Sequence, residues 1–115
     1  MLTNQTTILF SSEPDVTVLD KTGKSSLVIE VKGGTDPAGA LERDGAAKKS
    51  FEASLRDNEH VKTCFLACCI TPEVNQRIQQ DSTFSEYFNL TEVLADEGCK
   101  SALYEYVFSF IEPQN

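Results

Sequence analysis

Two short runs of alternating apolar residues flank a turn, and this arrangement limits the fold more than any other stretch. Val16 and Val18 lie before Lys21-Thr22-Gly23-Lys24, and Leu27, Ile29 and Val31 lie after it, each set alternating with polar or mixed positions. The spacing predicts a β-hairpin between Glu13 and Gly34. With a four-residue loop closed by Asp20 opposite Ser25, Val18 faces Leu27, Val16 faces Ile29, and Asp15 faces Glu30. Residues two apart in a strand share a face. Asp15, Glu30 and Lys32 therefore form a charged corner on one side, while Val16, Val18, Leu27, Ile29 and Val31 make a core face on the other. A bulge at Gly23 would shift the pairing by one residue and part the two acids, unless a second bulge restored it.

Neighbouring strands sit about 5 Å apart, so two carboxylates directly opposite each other repel. Such a pair calls for a cation or a shared proton. Lys32 is one cation. A divalent metal is the better complement, because Mg²⁺ takes a few carboxylate oxygens and keeps waters for a substrate phosphate. Two acids and an ammonium beside such an ion are what metal-assisted phosphodiester hydrolysis requires.

Pro14-Asp15, a 14-residue spacer and Glu30-Val31-Lys32 resemble the PD-(D/E)XK nuclease signature. The segment Gly33-Gly34-Thr35-Asp36-Pro37-Ala38-Gly39-Ala40-Leu41-Glu42-Arg43 is similar to the XcyI-type group of type II restriction endonucleases. The resemblance implies a restriction-endonuclease-like α/β (α+β) core in three layers. Its mixed four-stranded sheet would combine an antiparallel hairpin with a parallel crossover strand, flanked by helices. It also implies that Asp15, Glu30 and the backbone carbonyl of Val31 bind Mg²⁺, with Mn²⁺ as substitute. Lys32 would orient or help deprotonate the attacking water. The substrate would be double-stranded DNA, cleaved to leave a 5′-phosphate. Glu13 is an extra carboxylate beside this set and a candidate for a second ion.

The rest of the chain fits that plan. Thr7 to Phe10 reads as a first strand. Asp36 and Pro37 open a helix that runs to about Asp57, with Ala40, Ala47, Phe51 and Leu55 on one face. Gly45 within it is read as a site of tight packing against the strands. Lys48 and Lys49 are candidates for phosphate contacts, against the plainer reading of a solvated face. Val61 to Ile70 reads as a buried strand reached by a right-handed crossover. Thr71 caps a helix running to about Gln80. Phe84 to Leu90 is expected to be a packed connector. Thr91 would cap a short helix to Asp96, Gly98 would break it, and Cys99 to Ile111 would form a last helix whose aromatic face is either core or a homodimer contact.

Composition narrows the function further. With 115 residues and 40% hydrophobic content, the chain is expected to form a single nuclease core spanning residues 1–115. Only Met1 to Thr6 precede the first strand, which leaves open a core without its recognition region, a truncated reading frame, or an enzyme completed by a partner. The net charge of −8 works against binding nucleic acid. Its distribution matters, because Met1 to Asp57 carries 7 basic and 9 acidic residues, whereas Asn58 to Asn115 carries 3 and 9. A DNA-facing surface is therefore expected in the first half. The alternative is a non-catalytic interaction module that binds a basic protein and holds Asp15, Glu30 and Lys32 as a structural ion pair. A small-molecule hydrolase lacks both a phosphate-cradling glycine loop and a nucleophile elbow. His60, at a strand entrance, is read as a surface residue. Cys64, Cys68, Cys69 and Cys99 lack zinc-knuckle spacing and are read as buried free thiols. No apolar run reaches membrane-spanning length and the start MLTNQTT is polar, so no membrane contact and a cytoplasmic location are expected.

Overall fold

A computed structural model describes residues 6–111, so Met1 to Gln5 of the polar start lie outside the described residues. Among the described residues the chain forms β1 (Thr7–Phe10), β2 (Val16–Leu19), β3 (Ser25–Lys32), a 3₁₀ turn (Pro37–Gly39), α1 (Ala40–Asp57), β4 (Lys62–Ala67), α2 (Pro72–Gln79), β5 (Glu86–Asn89), α3 (Leu90–Ala95) and α4 (Glu97–Phe108). The strands lie in sequence order in one mixed sheet, with β1, β2 and β3 antiparallel and β3, β4 and β5 parallel.

The hairpin register is the one that brings the acids together, but its turn differs from the expected one. Asp20 N–H bonds the Lys24 carbonyl at 2.8 Å, so the loop holds three residues, and Gly23 takes the left-handed conformation with φ 86°. The Asp20 carboxylate accepts from Thr22 and Lys24 and ties the loop down. Leu19 then pairs Ser25 while Val18 pairs Leu27, which makes Ser26 a bulge residue. The Ser26 hydroxyl donates to the Val18 carbonyl at 3.1 Å. This second irregularity cancels the shift of the first, and Val16 faces Ile29 as predicted.

Both faces of the sheet are covered. On one side α1 and α2 pack Ala47, Phe51, Val74 and Ile78 over Val28 and Phe65; on the other, Tyr106 and Val107 of α4 pack over Val18, Leu27, Ile29 and Cys64. The side of the hairpin expected to be only a charged corner is therefore also core, because α1 lies across it. Val31, assigned to the apolar face, is 38% exposed at the end of its strand.

Several other expectations are corrected. The sheet has five strands among the described residues rather than four, since part of the presumed connector pairs with β4 as β5. Its sequence is short and aromatic without a clear period. The pairing is instead secured from outside: buried Thr63 donates its hydroxyl to the Thr83 carbonyl at 2.5 Å and accepts from Ser85 N–H at 2.8 Å. Asn89 rather than Thr91 caps α3, accepting from Glu92 N–H at 3.2 Å. Thr91 instead donates to the Cys68 carbonyl. The break before α4 falls at Asp96, which caps that helix through Gly98 N–H, so Gly98 lies inside the first turn. Cys64 is the one fully buried thiol among four free cysteines, and burial pushes it up to about 12. Among the described residues, no helix is long and apolar enough to cross a membrane.

Gly45 is exposed, and a Cβ there would meet nothing within 4 Å, so it does not mark tight packing. The close approaches lie in the loop before α1. A Cβ on Gly34 or Gly39 would come within 2.5 or 2.6 Å of Arg43, whose guanidinium bonds the Asp36 side chain at 3.0 Å and the Asp36 carbonyl at 2.5 Å.

Two stability changes of opposite sign follow. Gly45→Ala should stabilise the protein by about 0.5–1 kcal/mol, because it removes a flexible residue from an exposed helix interior. Phe51→Ala should cost about 3–5 kcal/mol, because it empties a site with 0% exposure that touches Phe84 edge-on. Urea denaturation of each variant measures both.

Candidate active site

Asp15 stands one residue ahead of β2 and Glu30 lies within β3, so continuing the Val16–Ile29 register sets the two acids opposite each other. Local bonds fix the approach to Asp15: the Ser11 hydroxyl donates to the Pro14 carbonyl at 2.6 Å, and Ser11 N–H to the Asp15 carbonyl at 3.1 Å. The strands then exchange side chains. Asp15 N–H donates to Glu30 Oε2 at 3.0 Å, and Val31 N–H donates to Asp15 Oδ2 at 2.7 Å. Each carboxylate is thus anchored to the other strand's backbone, and the pair is fixed across the ribbon despite its repulsion.

Glu30 is the unusual member. Its residue is only 2% exposed, because α1 lies over it. Ser50 of α1 donates its hydroxyl to Glu30 Oε2 at 3.2 Å, and Lys32 Nζ stands 3.5 Å from Oε1. Burial, reinforced by the negative charge of Asp15, pushes the Glu30 carboxyl above its ordinary range; the Asp15 amide, Lys32 and Ser50 offset this only in part. The ionised form therefore sits in surroundings that favour more positive charge. Lys32 keeps 28% of its side chain exposed, so its ammonium borders both the buried acid and solvent.

The structure therefore brings Asp15, Glu30 and Lys32 together. It does not bring Lys48 or Lys49 to them: Lys48 pairs with Asp81 at 2.8 Å on the far side of α1, and Lys49 is exposed. Glu13 is exposed at the entrance to the hairpin. His60 is a surface residue whose nearest charged partner is Glu59 at 3.6 Å. Among the described residues no group of three or more His, Cys, Asp or Glu side chains gathers into a metal cluster. The site's side-chain donors are two carboxylates, a set that fits an ion completing its shell with backbone oxygen and water.

Ser50 was not recognisable from the sequence. A serine between Ala47 and Phe51 looks like a small residue on a helix, and only the helix's placement over β3 turns its hydroxyl toward Glu30. Asp44 was missed for the same reason: it is 3% exposed, faces Arg77 at 3.9 Å, and is also pushed upward by burial.

A five-stranded mixed sheet flanked by helices is compatible with the restriction-endonuclease-like fold. The sequence model of the XcyI restriction endonuclease family matches residues 2–107. The chain belongs to that family, whose members are nucleases with DNA as substrate. No curated protein and no solved structure matches it.

A pH prediction follows from the buried acid. A carboxyl raised in the folded state binds its proton more tightly there than in the unfolded chain, so folding loses stability as pH climbs from the ordinary glutamate range through the raised value. Glu30→Gln removes that loss. Its melting temperature should exceed wild type by several degrees at pH 8, with the difference shrinking toward pH 4, as read by circular dichroism in metal-free buffer.

Proposed function

We propose that the chain is the catalytic core of a Mg²⁺-dependent endonuclease of PD-(D/E)XK type that hydrolyses DNA phosphodiesters and leaves a 5′-phosphate. The observation that carries this reading is the reciprocal anchoring of Asp15 and Glu30, which holds a repelling acid pair together with Glu30 buried. Such a pair gains from a divalent cation what Lys32 alone, 3.5 Å from one oxygen, does not supply. Asp15 and Glu30 would hold the ion, with the Val31 carbonyl as a further ligand. Bound there, it would supply Lewis-acid stabilisation of the charge that builds on the phosphate. Mn²⁺ would substitute.

The chain's own groups then have defined tasks. Lys32 lies at the border of solvent and site, where its ammonium can position a water against phosphorus and steady it as its proton departs. The water's proton passes to solvent, a new bond forms between its oxygen and phosphorus, the bond from phosphorus to the 3′ oxygen breaks, and the departing 3′ oxygen takes up a proton from solvent. The products are a 5′-phosphate and a 3′-hydroxyl. Lys49, exposed on α1, is the lysine of that helix free to meet a backbone phosphate, whereas Lys48 would first have to leave Asp81. Residues 1–115 act as one core in the cytoplasm, and a second copy would present a second centre to the opposite DNA strand.

Plasmid nicking with Mg²⁺ tests the assignment. Lys32→Ala should reduce the rate about 100-fold or more, the scale of a lost proton-transfer or water-positioning group. Equal rates in the two proteins would remove Lys32 from the reaction. If wild type neither nicks DNA nor gains thermal stability with Mg²⁺ or Mn²⁺, the acid pair is a structural feature of an interaction module instead.

A further inference from the structure

We infer that Ser50 is a positioning residue of the acid pair: its hydroxyl, with the Asp15 amide, occupies one oxygen of Glu30 and so determines which oxygen is presented to a cation. This rests on the reading of Asp15 and Glu30 as ligands of a divalent ion.

Glu30 Oε2 accepts from Asp15 N–H at 3.0 Å and from the Ser50 hydroxyl at 3.2 Å, while Oε1 faces Lys32 at 3.5 Å. In Asp15, Oδ2 is taken by Val31 N–H at 2.7 Å. One oxygen of each acid is thereby held by neutral donors. Asp15 Oδ1 and Glu30 Oε1 are left to meet positive charge. Two of the three neutral donors are backbone amides of the hairpin, which a side-chain substitution does not delete. Ser50 is the third, and it alone comes from another element.

The terminal torsion of a glutamate side chain is broad, so one amide on Oε2 leaves the carboxylate freer to rotate than two donors do. The hydroxyl supplies the second point of attachment. Ser50 is itself 2% exposed, and its neighbours on the helix, Ala47 and Phe51, are both fully buried against the sheet. The orientation of Glu30 is therefore tied to the packing of α1. Outer partners that orient a metal ligand commonly change metal affinity by about 10–100-fold when removed. A hydroxyl serving only to satisfy a buried carboxylate would affect stability and leave metal affinity unchanged.

Calorimetric titration of the full chain with Mn²⁺, in the absence of DNA, separates these roles, with folding checked by circular dichroism. Wild type should bind, Glu30→Ala should not, Ser50→Ala should bind about 10–100-fold more weakly, and Ser50→Thr, which keeps the hydroxyl, should stay within a few-fold of wild type. A folded Ser50→Ala with the wild-type Kd overturns the role of Ser50 alone, provided binding is lost in Glu30→Ala. Absence of Mn²⁺ binding in wild type overturns the reading of the acid pair, and the role of Ser50 falls with it. If Ser50→Ala does not fold, Ser50→Cys replaces it: the thiol occupies a similar space and donates weakly. It too should bind weakly, and wild-type affinity there would overturn the inference.

Discussion

Burying one ionisable carboxylate, Glu30, beneath α1 is the constraint around which the other features of this molecule are arranged. An acid at 2% exposure is costly unless donors and positive charge surround it. The donors arrive from three directions: the facing strand through the Asp15 amide, the covering helix through Ser50, and its own strand through Lys32. They lessen the penalty without abolishing it, since burial and the neighbouring Asp15 still keep the Glu30 carboxyl raised. Stability is given up at this point, and under the proposed function that uncompensated charge is what would draw a cation. A site already neutralised by its own lysines would have little electrostatic reason to take up a metal ion.

Holding the two acids opposite each other depends on a correction made several residues away. The three-residue turn with Gly23 at φ 86° would by itself set the strands one residue out of step. The Ser26 bulge, whose hydroxyl bonds Val18, restores the step before the chain reaches Ile29 and Glu30. A one-residue error between these strands would part Asp15 from Glu30 across the ribbon. Turn chemistry and site chemistry are thus one problem in this hairpin. The loop that follows is fixed just as locally, with Arg43 folded onto Asp36 in space that only glycines at positions 34 and 39 leave open.

Charge remains the feature least suited to a protein that acts on DNA. The net charge is −8, and the acidic excess is concentrated after Asp57. Several of the basic side chains that could face a phosphate are already committed: Lys48 to Asp81, Arg43 to Asp36 and Lys32 to Glu30. Under the proposed function, binding of DNA would therefore be coupled to anything that adds positive charge at the acid pair. A divalent ion held there would do so at the place proposed for the phosphate.

The sequence by itself determined the hairpin, the long helix from the 3₁₀ turn to Asp57 and the parallel strand after it. It also offered the pairing of Val16 with Ile29 that brings Asp15, Glu30 and Lys32 together, but by a four-residue loop where the structure has a shorter turn and a second bulge at Ser26. Those features are encoded in short-range terms: alternation, a turn residue, a capping aspartate and a proline at a helix start. Tertiary structure alone decided that the acid face is buried, that Ser50 bonds Glu30, and that Glu86 to Asn89 forms a strand. These depend on which surface α1 covers and on the grip of Thr63 on Thr83 and Ser85, contacts between residues about twenty positions apart that no local pattern specifies. Gly45 shows the converse, where a glycine in a helix suggested a close contact and the packed chain left open space beside it.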